Sequence, residues 1–265
     1  MRKRSIWAIA IAAGAATVAM VALAGAATFK VKSGNLEVTL GGTVSPSKLP
    51  RAQMAPVTTD IVGKIEGAGG LHPPALREVV VDIDKDAGID STGLPICKAG
   101  ELEAQNTANA RKACDGAVVG SGLAHAEIEF PEQPPIVVAS PITVFNGGTG
   151  GGKTKLLIHT FITVPVPAAI VTQVTVAKKG AGLHSIARIP VIAGGAGSAI
   201  DFKFKLGRTY AYKGKQRSLL TARCPDGKFK VTAPKILFKN EARTDGFPGQ
   251  LVLKGSVLVP CTPKG

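Results

Sequence analysis

The sequence predicts an all-β protein, an antiparallel sandwich with one short helix, and three observations carry that reading. About a dozen segments alternate polar and apolar residues with period two, the mark of strands that bury one face. The 32 Gly and 18 Pro in 265 residues break the chain too often for long helices. With 45% hydrophobic and 19% charged residues, the chain is too apolar for disorder and long enough for one large β domain or two smaller ones.

In chain order, Asn35–Leu40 is the first clear alternating run. Residues 41–56 (GGTVSPSKLPRAQMAP) read as an extended connector, so residues 27–56 form an N-terminal strand and linker, and residues 57–265 the sandwich. Further strands are expected at Val57–Glu66, Arg77–Asp84, Leu123–Phe130, Ile136–Phe145, Lys155–Val164 and Ile170–Lys178. His184–Ile189, Ala199–Leu206, Gln216–Cys224, Lys228–Phe238 and Gln250–Val259 complete the series. Only Gly100–Ala113 has a helical composition. Such a series fits an Ig-like or jelly-roll-like sandwich, or two fused ones with a break near residues 146–153.

The compartment is read from the first 26 residues. Arg2, Lys3 and Arg4 precede an apolar run, Ile6 to Leu23, and small-residue patterns such as Ala24-Gly25-Ala26 follow. That is the layout of a secretory signal peptide, the competing reading being an uncleaved membrane anchor. Without this leader the net charge falls from +14 to +11. The charge is unevenly divided. Residues 27–133 hold 10 basic and 14 acidic side chains, residues 134–265 hold 19 basic and 4 acidic, and such polarity points to an anionic partner.

Four cysteines, Cys97, Cys114, Cys224 and Cys261, fit an oxidising compartment. They allow three pairings, and proximity in sequence favours Cys97–Cys114 with Cys224–Cys261. Each bridge is worth about 3 kcal/mol by loop-closure entropy. Neither pair has the spacing of a zinc site.

Two motifs invite chemistry and fail on context. Gly147-Gly148-Thr149-Gly150-Gly151-Gly152-Lys153-Thr154 matches a P-loop, whose backbone amides cradle phosphates at a helix start. The residues that follow are β-branched and run into Pro165-Val166-Pro167, so no helix can open there and no nucleotide is expected. Asp82-Ile83-Asp84-Lys85-Asp86 opens like a calcium loop, but Ala87 stands where the sharp turn needs Gly and Gly93 where a bidentate Glu belongs. No metal is expected, with a weak calcium site at Asp84, Asp86 and Asp90 as the rival reading. The four His residues form no metal-ligand spacing, no nucleophile elbow occurs, and no cofactor is implied.

The informative cluster is basic. Phe202-Lys203-Phe204-Lys205-Leu206 alternates so that both lysines share one face, and Arg208, Tyr210, Tyr212, Lys213, Lys215 and Arg217 follow around a turn. A cationic hairpin with interleaved aromatics suits a phosphate- or carboxylate-bearing polymer. The plain alternative is the solvated tip of a hairpin, with lysines guarding an edge. Export makes nucleic acid a poor partner and an anionic wall polymer or lipid head groups better ones.

Several short segments carry a resemblance: His72-Pro73-Pro74-Ala75-Leu76, Gly93-Leu94-Pro95-Ile96-Cys97, Ala113-Cys114, Tyr212-Lys213-Gly214-Lys215, Arg223-Cys224-Pro225-Asp226-Gly227 and Pro260-Cys261. Together with the Ala-rich leader, this layout resembles a group of secreted actinobacterial hypothetical proteins with a signal peptide and four cysteines. The resemblance implies export and paired cysteines, and brings no catalytic residue. The expected function is therefore a non-catalytic, exported, envelope-associated protein that binds an anionic surface polymer through Lys203, Lys205, Arg208, Tyr210, Tyr212, Lys213, Lys215 and Arg217. The rivals are a secreted hydrolase whose site forms only in space, and a structural envelope component.

Overall fold

The computed structural model describes residues 26–130 and 132–264, so the expected leader lies, but for Ala26, outside the described residues. The chain runs through β1 (Ala27–Ser33), β2 (Leu36–Ser45), β3 (Lys48–Pro50), β4 (Ala55–Gly67), β5 (Ala75–Ile83) and β6 (Ala87–Ile89) to the helix α1 (Thr107–Ala113). Then come β7 (Val118–Phe130), β8 (Gln133–Gly150), β9 (Lys153–Ile162), β10 (Ala168–Lys179), β11 (Gly182–Arg188) and β12 (Gly197–Leu206). A two-stranded ribbon, β13 (Thr209–Tyr212) and β14 (Lys215–Ser218), precedes β15 (Leu220–Ala222), β16 (Lys228–Lys239), β17 (Gln250–Pro260) and β18 (Thr262–Lys264).

Twelve of these strands form one continuous antiparallel sheet in the order β1-β2-β4-β12-β7-β8-β9-β10-β11-β5-β16-β17. The sheet curls into a nearly closed, barrel-like sandwich. Its two edge strands, β1 and β17, meet without ladder hydrogen bonds, and the Phe29 ring lies where a side chain on Gly255 would have to go. The inward faces pack on one another: Leu36, Val38 and Ile65 from one wall meet Leu76, Ile236, Phe238 and Leu253 from the other. A second cluster, with Ile142, Val144, Leu156, Val174 and Leu206, continues the interior along the barrel. Phe202 reaches both clusters.

The single sheet settles several sequence expectations. The expected connector at residues 41–56 is mostly strand, because β2 continues to Ser45 and β4 starts at Ala55. The suspected break at residues 146–153 falls within the β8–β9 hairpin. Gly151 and Gly152 form its two-residue turn with φ of 58° and 72°, a left-handed pair that matches strand twist. The would-be P-loop thus lies across a hairpin, and Lys153 and Thr154 begin a strand. The helix is shorter than its composition implied. It starts at Thr107 because the Asn106 side chain accepts the Asn109 amide at 2.9 Å, and only a 3-10 turn precedes it at Ala99–Glu101.

Residues 90–117 fold as a cap over the outside of β8 and β9. Cross-strand register puts Thr143, Phe145, Leu157 and His159 on the outer face, yet all four are buried. Phe145 and Leu157 pack with Leu102, Ala110 and Ala117 of the cap. The Cys97–Cys114 bridge closes this cap, and a second bridge, Cys224–Cys261, ties β17 to the segment before β16 beside Leu49 and Phe229. The pairing is the one that sequence proximity favoured. Two such bridges point to an oxidising, extracytoplasmic compartment.

At the β1–β17 seam, Gly255→Val drives a branched side chain into the Phe29 ring. We expect a loss of about 1–3 kcal/mol, read as a lower urea midpoint with unchanged m-value.

Candidate functional site

The basic residues expected to form one hairpin sit on two elements. Lys203 and Lys205 project from the outer face of β12, which is a mid-sheet strand paired with β4 and β7. Gly207, at φ 135°, then turns the chain away, and the other six residues belong to the β13–β14 ribbon or its entry. Lys213 and Gly214, at φ 51° and 71°, make the ribbon's two-residue turn.

Four of the eight predicted contacts hold this ribbon down. Arg208 Nη1 donates to the carbonyls of Gly116 (2.7 Å) and Val118 (3.0 Å) at the end of the cap. Tyr210 donates its hydroxyl to Thr92 O (2.9 Å) and Asp90 O (3.3 Å), and burial beside the Asp90 carboxylate raises its pKa. The Tyr212 ring packs against Gly93, where a Cβ would collide with it. Arg217 Nη1 donates to Asp90 Oδ2 at 2.7 Å, and its guanidinium lies 5.6 Å from the Tyr212 ring centroid. Partial burial pushes the Asp90 pKa up, but hydrogen bonds from Thr92 and the Arg217 charge outweigh it and hold the group below the usual range. Lys203, Lys205, Lys213 and Lys215 remain exposed at their charged ends. Among the described residues only Lys205 of these four has a carboxylate partner, Asp60 at 4.0 Å, and its side chain is still 58% exposed.

The three acids of the calcium-like segment do not converge. Asp84 accepts the Asp86 and Lys230 amides at 3.0 and 2.6 Å, Asp86 accepts Arg223 Nε at 2.7 Å, and Asp90 serves Arg217. Their carboxylates therefore brace β16, β15 and the ribbon separately, and the weak calcium reading loses its geometry. The cluster of metal-ligand type among the described residues, Cys97, Glu101 and Cys114, has its sulfurs joined in the disulfide.

A shallow depression of about 430 Å³ lies on the outer wall where β4, β12 and β7 run side by side. Lys203, Lys205, Asp60, Asp201, His125 and Ser121 surround it, over a floor that includes Leu123, 43% exposed. His125 Nδ1–H donates to Asp201 Oδ1 at 2.7 Å, as the acceptor-only carboxylate requires. Ser121 stands four residues along the same strand, about 13 Å away at strand rise, so no Ser–His–Asp relay forms. No helix among the described residues is long and apolar enough to cross a membrane.

The chain matches no family model, no curated protein and no solved structure.

Sequence reasoning missed the pairs that organise the site, Asp90–Arg217 and Asp86–Arg223, because 127 and 137 residues separate their members. It also missed His159. This imidazole is fully buried beneath the cap, donates Nε2–H to Gln105 O at 2.9 Å and leaves Nδ1 without a partner. Burial lowers its pKa, with the Gln105 bond opposing in part.

Because the folded-state value lies below the unfolded one, the neutral ring contributes fully above about pH 6.5 and that contribution fades as pH falls through the folded value. We expect wild type to lose more stability than His159→Leu between pH 7.5 and pH 5. Denaturant melts of both at each pH give the comparison, and parallel losses would remove His159 from the account.

Proposed function

We propose that the protein works outside the cytoplasm, at the cell envelope, as a non-catalytic binder of an anionic surface polymer. The observation that carries the reading is the set Lys203, Lys213 and Lys215, exposed cations with no carboxylate partner among the described residues, the last two on a ribbon that Arg208, Tyr210 and Arg217 hold down. A solvated edge guarded by lysines would not need that scaffold. Anchoring the ribbon through Arg208, Tyr210 and Arg217 fixes the lysine-bearing turn, so less conformational freedom is lost when a polymer binds. The two disulfides support export.

Such binding is electrostatic and weakens with salt, since the screening length falls from about 30 Å at 0.01 M to about 8 Å at 0.15 M. Replacing Lys203, Lys213 and Lys215 by Ala should cut retention on purified wall polymer at low salt at least tenfold. Arg217→Ala differs, because it also frees the ribbon and exposes it to protease. Undiminished retention of the triple variant at low salt would refute the assignment.

A further inference from the structure

The strand registers sort every connection to one of two barrel ends, and the ends differ in charge. At one end lie the β1–β2, β4–β5, β7–β8, β9–β10, β11–β12 and β16–β17 connections. Among the described residues of these connections and the strand ends that flank them, Arg243, Lys239 and Arg188, the last paired with Glu78, stand against Glu132, Glu241 and Asp245. The same end exposes Val166 and Val191. The opposite end gathers the β8–β9 and β10–β11 turns, the cap, the ribbon, β3 with β18, and the start of β16. Lys48, Lys153, Lys178, Lys213, Lys215 and Lys228 are exposed there, each on a different turn or strand end apart from the two that flank the ribbon tip. None of the six has a carboxylate partner among the described residues, where the exposed acids without a cation are Glu101, which accepts the Lys98 amide, with Glu103, Asp115 and Asp226.

These lysines are spread around the rim of the barrel and do not line up in a row. A row fits one polymer strand, whereas a rim of cations fits a plane of negative charge. Ala27 begins β1 at this same end. We propose that the lysine-rimmed end seats on an anionic phospholipid bilayer, with the barrel axis near the membrane normal and the apolar, acidic end facing away. The proposal shares the premise of export with the polymer reading but needs neither Lys203 nor the outer wall of β12.

The test is flotation of the exported protein with vesicles of phosphatidylglycerol and phosphatidylcholine, and with phosphatidylcholine alone. Each basic residue near such a surface is worth about fivefold in association. The variant Lys153→Gln, Lys178→Gln, Lys228→Gln should then bind the anionic vesicles about a hundredfold more weakly, with an unchanged melting midpoint. The pair Lys239→Gln, Lys254→Gln, away from the rim, should bind like wild type. Equal flotation with phosphatidylcholine, or equal losses in the two variants, overturns the proposal. Retention on wall polymer is measured in parallel, since the triple variant keeps Lys203, Lys213 and Lys215. Polymer retention without flotation rejects the bilayer alone, and flotation without polymer retention rejects the polymer reading and upholds this one.

Discussion

Every long strand in this protein must hide one face from water while leaving the other wet, and the rest of the structure follows from that requirement. Period-two alternation supplies the hidden face, and curling the sheet lets opposite walls cover each other, Leu36 and Val38 against Ile236 and Phe238. Closure stops short of a last hydrogen-bonded ladder. At the seam, an aromatic ring over Gly255 takes the place of strand pairing, which protects two edges that would otherwise invite association.

The same requirement explains the cap. On β8 and β9 both faces are apolar near Phe145 and Leu157, so the outward face needs a cover that the sheet cannot give. The cap supplies it through Leu102, Ala110 and Ala117, and a disulfide holds the cap to its shape. The ribbon is then fastened to the cap and its approach through Gly116, Thr92, Gly93 and Asp90. Barrel, cap and ribbon are thus built in sequence, each on the surface left by the one before.

Charge is arranged on this frame by geometry that the linear halves do not express. The basic C-terminal half contributes to both the wall and the rim, while many acids of the N-terminal half are drawn to that same end and consumed there. Asp86 and Asp90 each neutralise an arginine, Arg223 and Arg217, whose role is to brace a strand. What stays uncompensated is lysine, a flexible and strongly hydrated cation suited to loose contact with a charged surface.

The all-β class, nearly every long strand, the cysteine pairing by proximity and the exclusion of a P-loop helix at Gly147–Thr154 were legible in the linear chain, because period, turn residues and prolines act locally. Local pattern passed over β1, and it merged the ribbon with β12, since alternation persists through Gly207 where the backbone turns away. The folded arrangement joins the strands into one sheet and makes anchors of Tyr210, Tyr212, Arg208 and Arg217. It alone placed His159 under a cap and gathered the unpaired lysines at one end. Those outcomes depend on contacts between residues 54 to 127 positions apart, His159 with Gln105 and Arg217 with Asp90 among them, and on strand order, neither of which a local pattern encodes.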